Sequence, residues 1–206
     1  MALTVKVENG FAEVGEGAWL MGRAQPVAFF GSLSRRRRKG FFLRDRNDIS
    51  LVELTGTARC ANAAQPFLTH VSCGVPVYAV SSKILLAPAA SHTGTETIRT
   101  VPFSLMQAIT ASVFSSEWVV LATASRTTRV AVEDGETLSV RPDAVASWTG
   151  NRPTGFCPKL GIWDILLPRG PKDLLLHFHG PCLVWIEGAA PAVSRFPRNV
   201  PQRRCV

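Results

Sequence analysis

The sequence predicts an all-β protein, an antiparallel β-sandwich or prism of three degenerate tandem hairpin repeats with at most one short helix in an insert. Three observations carry this expectation. Apolar side chains alternate with other residues over short runs, as Val130 and Val132 do against Arg129 and Ala131, and Leu138 and Val140 after them. Turn-forming residues punctuate the runs: Asp134-Gly135 and Arg141-Pro142-Asp143 interrupt the stretch from Val130 to Trp148, which reads as three short strands joined by two tight turns. The same spacing recurs upstream. Val-x-x-Gly stands at Val7–Gly10, Val71–Gly74 and Val132–Gly135, at steps of 64 and 61 residues, and the register aligns Leu20 with Ile84 and Val145, and Gly15 with Ala79 and Val140. Such a period marks a duplicated unit whose copies bury one face together. It places the repeats at about 1–55, 67–125 and 128–188, a single domain 1–188 followed by a basic tail, 189–206.

Each repeat continues with a second β element. Phe41-Phe42-Leu43 leads through Arg44 and Asn47-Asp48 to Leu51–Leu54. Trp118–Leu121 leads through Arg126 into Val130. Leu174–Leu176 leads through Gly180-Pro181 to Leu183–Ile186. Apolar strand, polar turn and apolar strand follow in each case, so the unit reads as two hairpins around a variable insert. The inserts differ. Gly22–Gly40 holds Arg35-Arg36-Arg37-Arg38-Lys39, Pro88–Ser116 holds the polar run Ser91–Glu96, and Gly150–Asp173 carries four prolines. Only the second has a helical pattern, with Pro102 at a first helical position and Phe103, Met106 and Ile109 on one face, against the poor helix formers Thr110, Ser112 and Val113. After Gly188 the chain carries Pro191, Pro197 and Pro201 among Arg195, Arg198, Arg203 and Arg204, the composition of an extended basic tail.

At 206 residues with 46% hydrophobic content, the chain has the material for a sizeable core. An excess of 23 Lys and Arg over 15 Asp and Glu gives a net charge of +8, which favours anionic partners: nucleic acid, acidic protein or anionic membrane. Five cysteines without a Cys-x-x-Cys pair predict free thiols in a reducing compartment. No apolar run reaches the roughly 18 to 20 residues of a spanning helix. The N-terminus reads as a strand carrying Glu8, Glu13 and Glu16, unlike a secretory or transit signal.

The later residues resemble a known family. Gly135-Glu136, Leu138–Pro142, Val145–Trp148, Phe178, Gly180-Pro181 and Val184-Trp185 are similar to the closing repeat of the altered inheritance of mitochondria protein 24 family, with an echo of its early glycine-rich turn at Glu13, Gly15, Gly17-Ala18 and Met21-Gly22. The resemblance is clearest over 130–188, weaker over 71–121 and thin before Phe41. It implies stacked β repeats like those of the trp RNA-binding attenuation protein and, in eukaryotes, a mitochondrial protein that supports inner-membrane complexes. The Arg35–Lys39 run and the Arg-rich tail depart from the family pattern.

Candidate chemistry is sparse. His177 and His179 lie two apart and Cys182 follows a Gly-Pro turn, three ligand-type residues to which His92 or Cys157 could be added. The pattern is also that of an ordinary strand with one polar face, and the expectation is no metal and no cofactor. There is no Gly-x-Ser-x-Gly elbow, no histidine beside a suggestive acid, and Asp164 and Asp173 flank a proline-rich loop rather than forming a pair. Gly15-Glu16-Gly17 has an acid inside it and no evident helix after it, so it reads as a turn. Trp19, Trp118, Trp148, Trp163 and Trp185 are expected as core or interface anchors.

The basic run is the sharpest functional feature. Five consecutive cations between Phe29-Phe30 and Phe41-Phe42 make a concentrated field for phosphates or carboxylates, with aromatics that could stack on bases or join the core. The expectation is a non-enzymatic scaffold or accessory subunit of a mitochondrial multiprotein assembly, in the matrix or on the inner membrane. Its partner contacts would be Arg35, Arg36, Arg37, Arg38, Lys39, Arg195, Arg198, Arg203 and Arg204. The alternatives are an RNA-contacting subunit of an organellar ribonucleoprotein such as the mitochondrial ribosome, or a metal-dependent enzyme.

Overall fold

The computed structural model describes residues 5–8, 11–14, 19–23, 27–36, 49–62, 64–88, 91–99, 108–115, 118–156 and 175–188. The chain is all-β, and every strand pair described is antiparallel. Its first part forms β1 (Val5–Glu8), β2 (Phe11–Val14), β3 (Trp19–Arg23), β4 (Val27–Arg36) and the 14-residue β5 (Ile49–Asn62). β5 pairs with β2, β3 and β4.

Two matching units follow. The first comprises β6 (Phe67–Ser72), β7 (Val77–Val80), a 3-10 turn at Ser81–Lys83, β8 (Ile84–Pro88), β9 (His92–Arg99), β10 (Ala108–Phe114) and β11 (Trp118–Thr123). The second comprises β12 (Thr127–Val132), β13 (Thr137–Val140), a 3-10 turn at Pro142–Ala144, β14 (Val145–Thr149), β15 (Thr154–Phe156), β16 (Leu175–His179) and β17 (Cys182–Glu187). In the first unit β11 lies between β6 and β8, and β10 between β7 and β9. In the second, β17 lies between β12 and β14, and β16 between β13 and β15.

These trios make three stacked sheets. β8, β11 and β6 join β1–β5 through the β3–β8 pair, and β12, β17 and β14 join β7, β10 and β9 through β14–β7. β13, β16 and β15 form the third sheet. The middle sheet is apolar on both faces. Val77, Ala79, Phe114, Ala146 and Trp185 pack against Ile84, Val119 and Leu121 of the first sheet. Val80, Val145, Trp148, Val184 and Ile186 pack against Leu138, Val140, Leu176 and Phe178 of the third. Period-2 alternation thus sends successive side chains of β17 into two different cores, whereas in β14 a register shift between Val145 and Ser147 lets Val145 and Trp148 share one core with Ala146 in the other. Each large side chain so enclosed contributes about 1.5–3 kcal/mol relative to exposure. Trp148, fully buried, stacks on Tyr78 with ring centroids 5.3 Å apart and meets Phe178 edge-on at 5.8 Å.

Two local expectations change. The turns within Val130–Trp148 are corners between sheets rather than hairpin loops, because β12 and β14 both pair with β17 while β13 pairs with β16. Alternation identifies a strand without identifying its partner. Gly135, at φ 85°, makes the first corner, where the Glu136 amide donates to the Glu133 carbonyl at 3.0 Å. Gly180 sits against that corner, its amide donating to the Glu136 carbonyl at 3.2 Å, and a Cβ there would overlap the Glu133 carbonyl. The expected helix is also corrected at Ile109, which is a strand residue paired with Ile98. Its β-branched neighbours Thr110 and Val113 favour that outcome. Pro102, Phe103 and Met106 lie outside the described residues.

Candidate functional site

Arg35 and Arg36 close β4, opposite Val52 and Leu51 of β5. The basic run is therefore not wholly a loop: its first two members are strand residues, held by the main-chain ladder that the long β5 supplies. Sequence alone had no view of that ladder, because nothing in 27–36 names 49–62 as its partner. Arg37, Arg38 and Lys39 lie outside the described residues, as do Arg195, Arg198, Arg203 and Arg204.

The ligand-type residues are divided by the fold. His177 and His179 occupy alternate positions of β16 on the face opposite Leu176 and Phe178. Their Nδ1 atoms hydrogen-bond the cross-strand hydroxyls of Ser139, at 3.2 Å, and Thr137, at 3.0 Å. Burial lowers the His177 pKa, and the charge of His179 works in the same direction. Cys182 points the other way, into the core between the middle and third sheets, where burial pushes its thiol up to about 11. The Gly180-Pro181 corner carries the chain from one sheet to the next, so strand alternation does not continue across it. His92 packs against Phe114 with ring centroids 5.5 Å apart, and Cys157 lies outside the described residues. Among the described residues no three His, Cys, Asp or Glu groups gather as a metal site.

A polar cluster that sequence reasoning missed joins the two matching units. Lys83, 9% exposed, donates from Nζ to Glu187 Oε2 at 2.6 Å and to the Asp143 carbonyl at 2.8 Å. Glu187 Oε1 accepts the amides of Ala124, at 2.6 Å, and Ser125, at 3.1 Å. Burial acts to raise the Glu187 pKa, but the Lys83 hydrogen bond and charge, with the two amides, outweigh it and hold the carboxyl below its ordinary value. Lys83 lies in the first unit, whereas Glu187 and Asp143 lie in the second, so the cluster clips neighbouring repeats together. A shallow open cleft lined by Ser125, Arg141, Asp143, Ala144 and Glu187 lies over it. Arg141 and Asp143 pair across the rim at 2.8 Å, both well exposed. With both Glu187 oxygens engaged, the carboxylate is a structural tie rather than a poised base. The available signal was a lone lysine within the apolar run Val77–Pro88.

Comparison with known proteins adds the fold alone. No family model and no curated protein matches the chain. Among solved structures, it is similar to protein SPYM3_0169 from Streptococcus pyogenes. That likeness has a TM-score of 0.65 and covers 91% of this chain and 93% of the streptococcal one, at 10% sequence identity. At this identity the two share an architecture, and function has to be argued from the site. Among the described residues, no helix is long and apolar enough to cross a membrane.

Proposed function

We propose that this protein is a non-enzymatic scaffold or accessory subunit that binds other components of a larger assembly through its basic elements. The observation that supports this most is the placement of Arg35 and Arg36 at the end of a ten-residue strand that pairs with β5 on one side. The sequence runs directly from them into Arg37, Arg38 and Lys39, so the cationic run starts from a hydrogen-bonded strand end. Backbone held in a ladder lowers the ordering cost that binding through the run has to meet, relative to a free tail. The mitochondrial setting rests on the resemblance of 130–188 to the altered inheritance of mitochondria protein 24 family. The partner-contact residues proposed are the five of the run with Arg195, Arg198, Arg203 and Arg204.

Purification of the full chain from native cells, with identification of what co-migrates, tests the proposal. Recovery with a defined set of mitochondrial proteins, lost when Arg35–Lys39 are replaced by Ser, is the expected result. Recovery of the chain free of other proteins overturns it. Co-migration with RNA, at an affinity that falls steeply with salt and drops in the Ser variant, would instead make it an RNA-contacting subunit.

A further inference from the structure

We infer that β12, the edge strand of the middle sheet, is a self-association surface on which a second copy of this chain adds its own β12 in antiparallel register. β12 pairs with β17 through six consecutive residues without a bulge, and among the described residues nothing pairs with its other side. Thr128, Arg129 and Ala131 are exposed, and neither proline nor lysine interrupts the edge. Such a strand is open to pairing.

The hydrogen-bond phase identifies the outward-facing groups. The Gly188 amide donates to the Arg126 carbonyl at 2.9 Å, which continues the register in which Thr128, Val130 and Val132 face Ile186, Val184 and Cys182. In an antiparallel ladder these alternate residues direct their backbone groups to β17, so Thr127, Arg129 and Ala131 direct theirs to the open side. Two-fold pairing must match outward residues with outward residues. Centring it on Arg129 sets like charges face to face. Centring it on Val130 moves the two Arg129 residues apart to a diagonal, and sets Arg129 across from Ala131 and diagonal to Glu133 of the second copy. The edge is basic at its start, with exposed Arg126 and Arg129, and acidic at its end, with exposed Glu133 and Asp134. Reversed against itself it is charge-complementary, as an isologous contact requires. The edge of β6 lies at the same rim, joined by the Thr69–Thr127 hydroxyl contact at 2.5 Å. The two exposed large apolar side chains among the described residues, Phe67 at 38% and Val75 at 50%, lie on or next to β6.

Sedimentation and light scattering of the full chain at rising concentration test this. A dimer is expected, with Arg129→Glu weakening it by about tenfold through repulsion of Glu133, and Glu133→Arg in the same chain restoring it. Ala131→Pro removes an outward donor without touching the β17 ladder and also disperses the dimer. Unchanged thermal unfolding separates dispersal from misfolding; a variant that unfolds is replaced by Ala131→Lys, which is expected to weaken the dimer too. A chain that stays monomeric throughout, or a dimer indifferent to all of these changes, overturns the inference. Loss of the basic-run partners leaves it standing.

Discussion

In the unit Phe67–Thr123, β10 runs through the middle sheet with a core on each side. Its counterpart in the following unit, β16, runs through the third sheet with a core on one side. Ser112 of β10 is fully buried and meets Ser81 at 3.1 Å, whereas His177 and His179 of β16 are half-buried and bond hydroxyls on their own sheet. The pairing scheme is shared, so the difference comes from what is stacked above each strand. Repetition sets which strands pair, and position in the stack sets which side chains must be apolar.

The strongest test of this contrast is Trp148→Ala. Trp148 holds the position that Ala87 holds one unit earlier, by the 61-residue register, and it fills the space between the middle and third sheets. Its truncation is expected to cost about 3–5 kcal/mol by urea unfolding, a cavity that Tyr78 and Phe178 cannot close.

Next is the clip. Lys83 stands where Ala144 stands in the later unit, and it reaches into that unit. Lys83→Met leaves Glu187 without its partner and is expected to cost about 2 kcal/mol. Because the folded Glu187 carboxyl is held below its ordinary value of 4.5, its contribution is complete above that pH and is lost as pH falls through the folded value. The urea midpoint should therefore drop on acidification below about 4.5, and Lys83→Met should flatten that drop.

Glycine separates the units more gently. Gly135 has φ 85°, while Gly74, its equivalent, has an ordinary φ and open space around it. Gly135→Ala is expected to cost about 1–2 kcal/mol, and Gly74→Ala to be neutral or slightly stabilising. Smallest of all is Asp143→Asn, which breaks an exposed pair with Arg141 and should move stability by less than about 0.5 kcal/mol.

Much of the fold was legible because it depends on local chemistry. Val130, Val132, Leu138 and Val140 announce strands by alternation, and Trp118, Trp148 and Trp185 are core residues as their surroundings imply. The Val-x-x-Gly spacing at 71–74 and 132–135 falls at matching places in the two units. The candidate chemistry was less legible. His177 and His179 share a face as their spacing requires, yet Cys182 leaves it because a corner intervenes. Lys83 and Glu187 are 104 residues apart, and no local pattern links them. Arg35 and Arg36 looked like loop residues because five cations in a row outweigh strand propensity in a short window, whereas the ladder with β5 decides their conformation.

The sequence by itself determined that this chain is built from β-strands, where several of them break, and that it carries a net charge of +8, because alternation, turn chemistry and composition are read over a few residues or from simple counts. Tertiary structure alone decided that consecutive strands enter different sheets, that the middle sheet has two cores, and that Lys83 meets Glu187. Those outcomes depend on which distant backbone edges pair and which faces stack, and a strand's hydrogen-bonding groups are the same whatever side chains it carries.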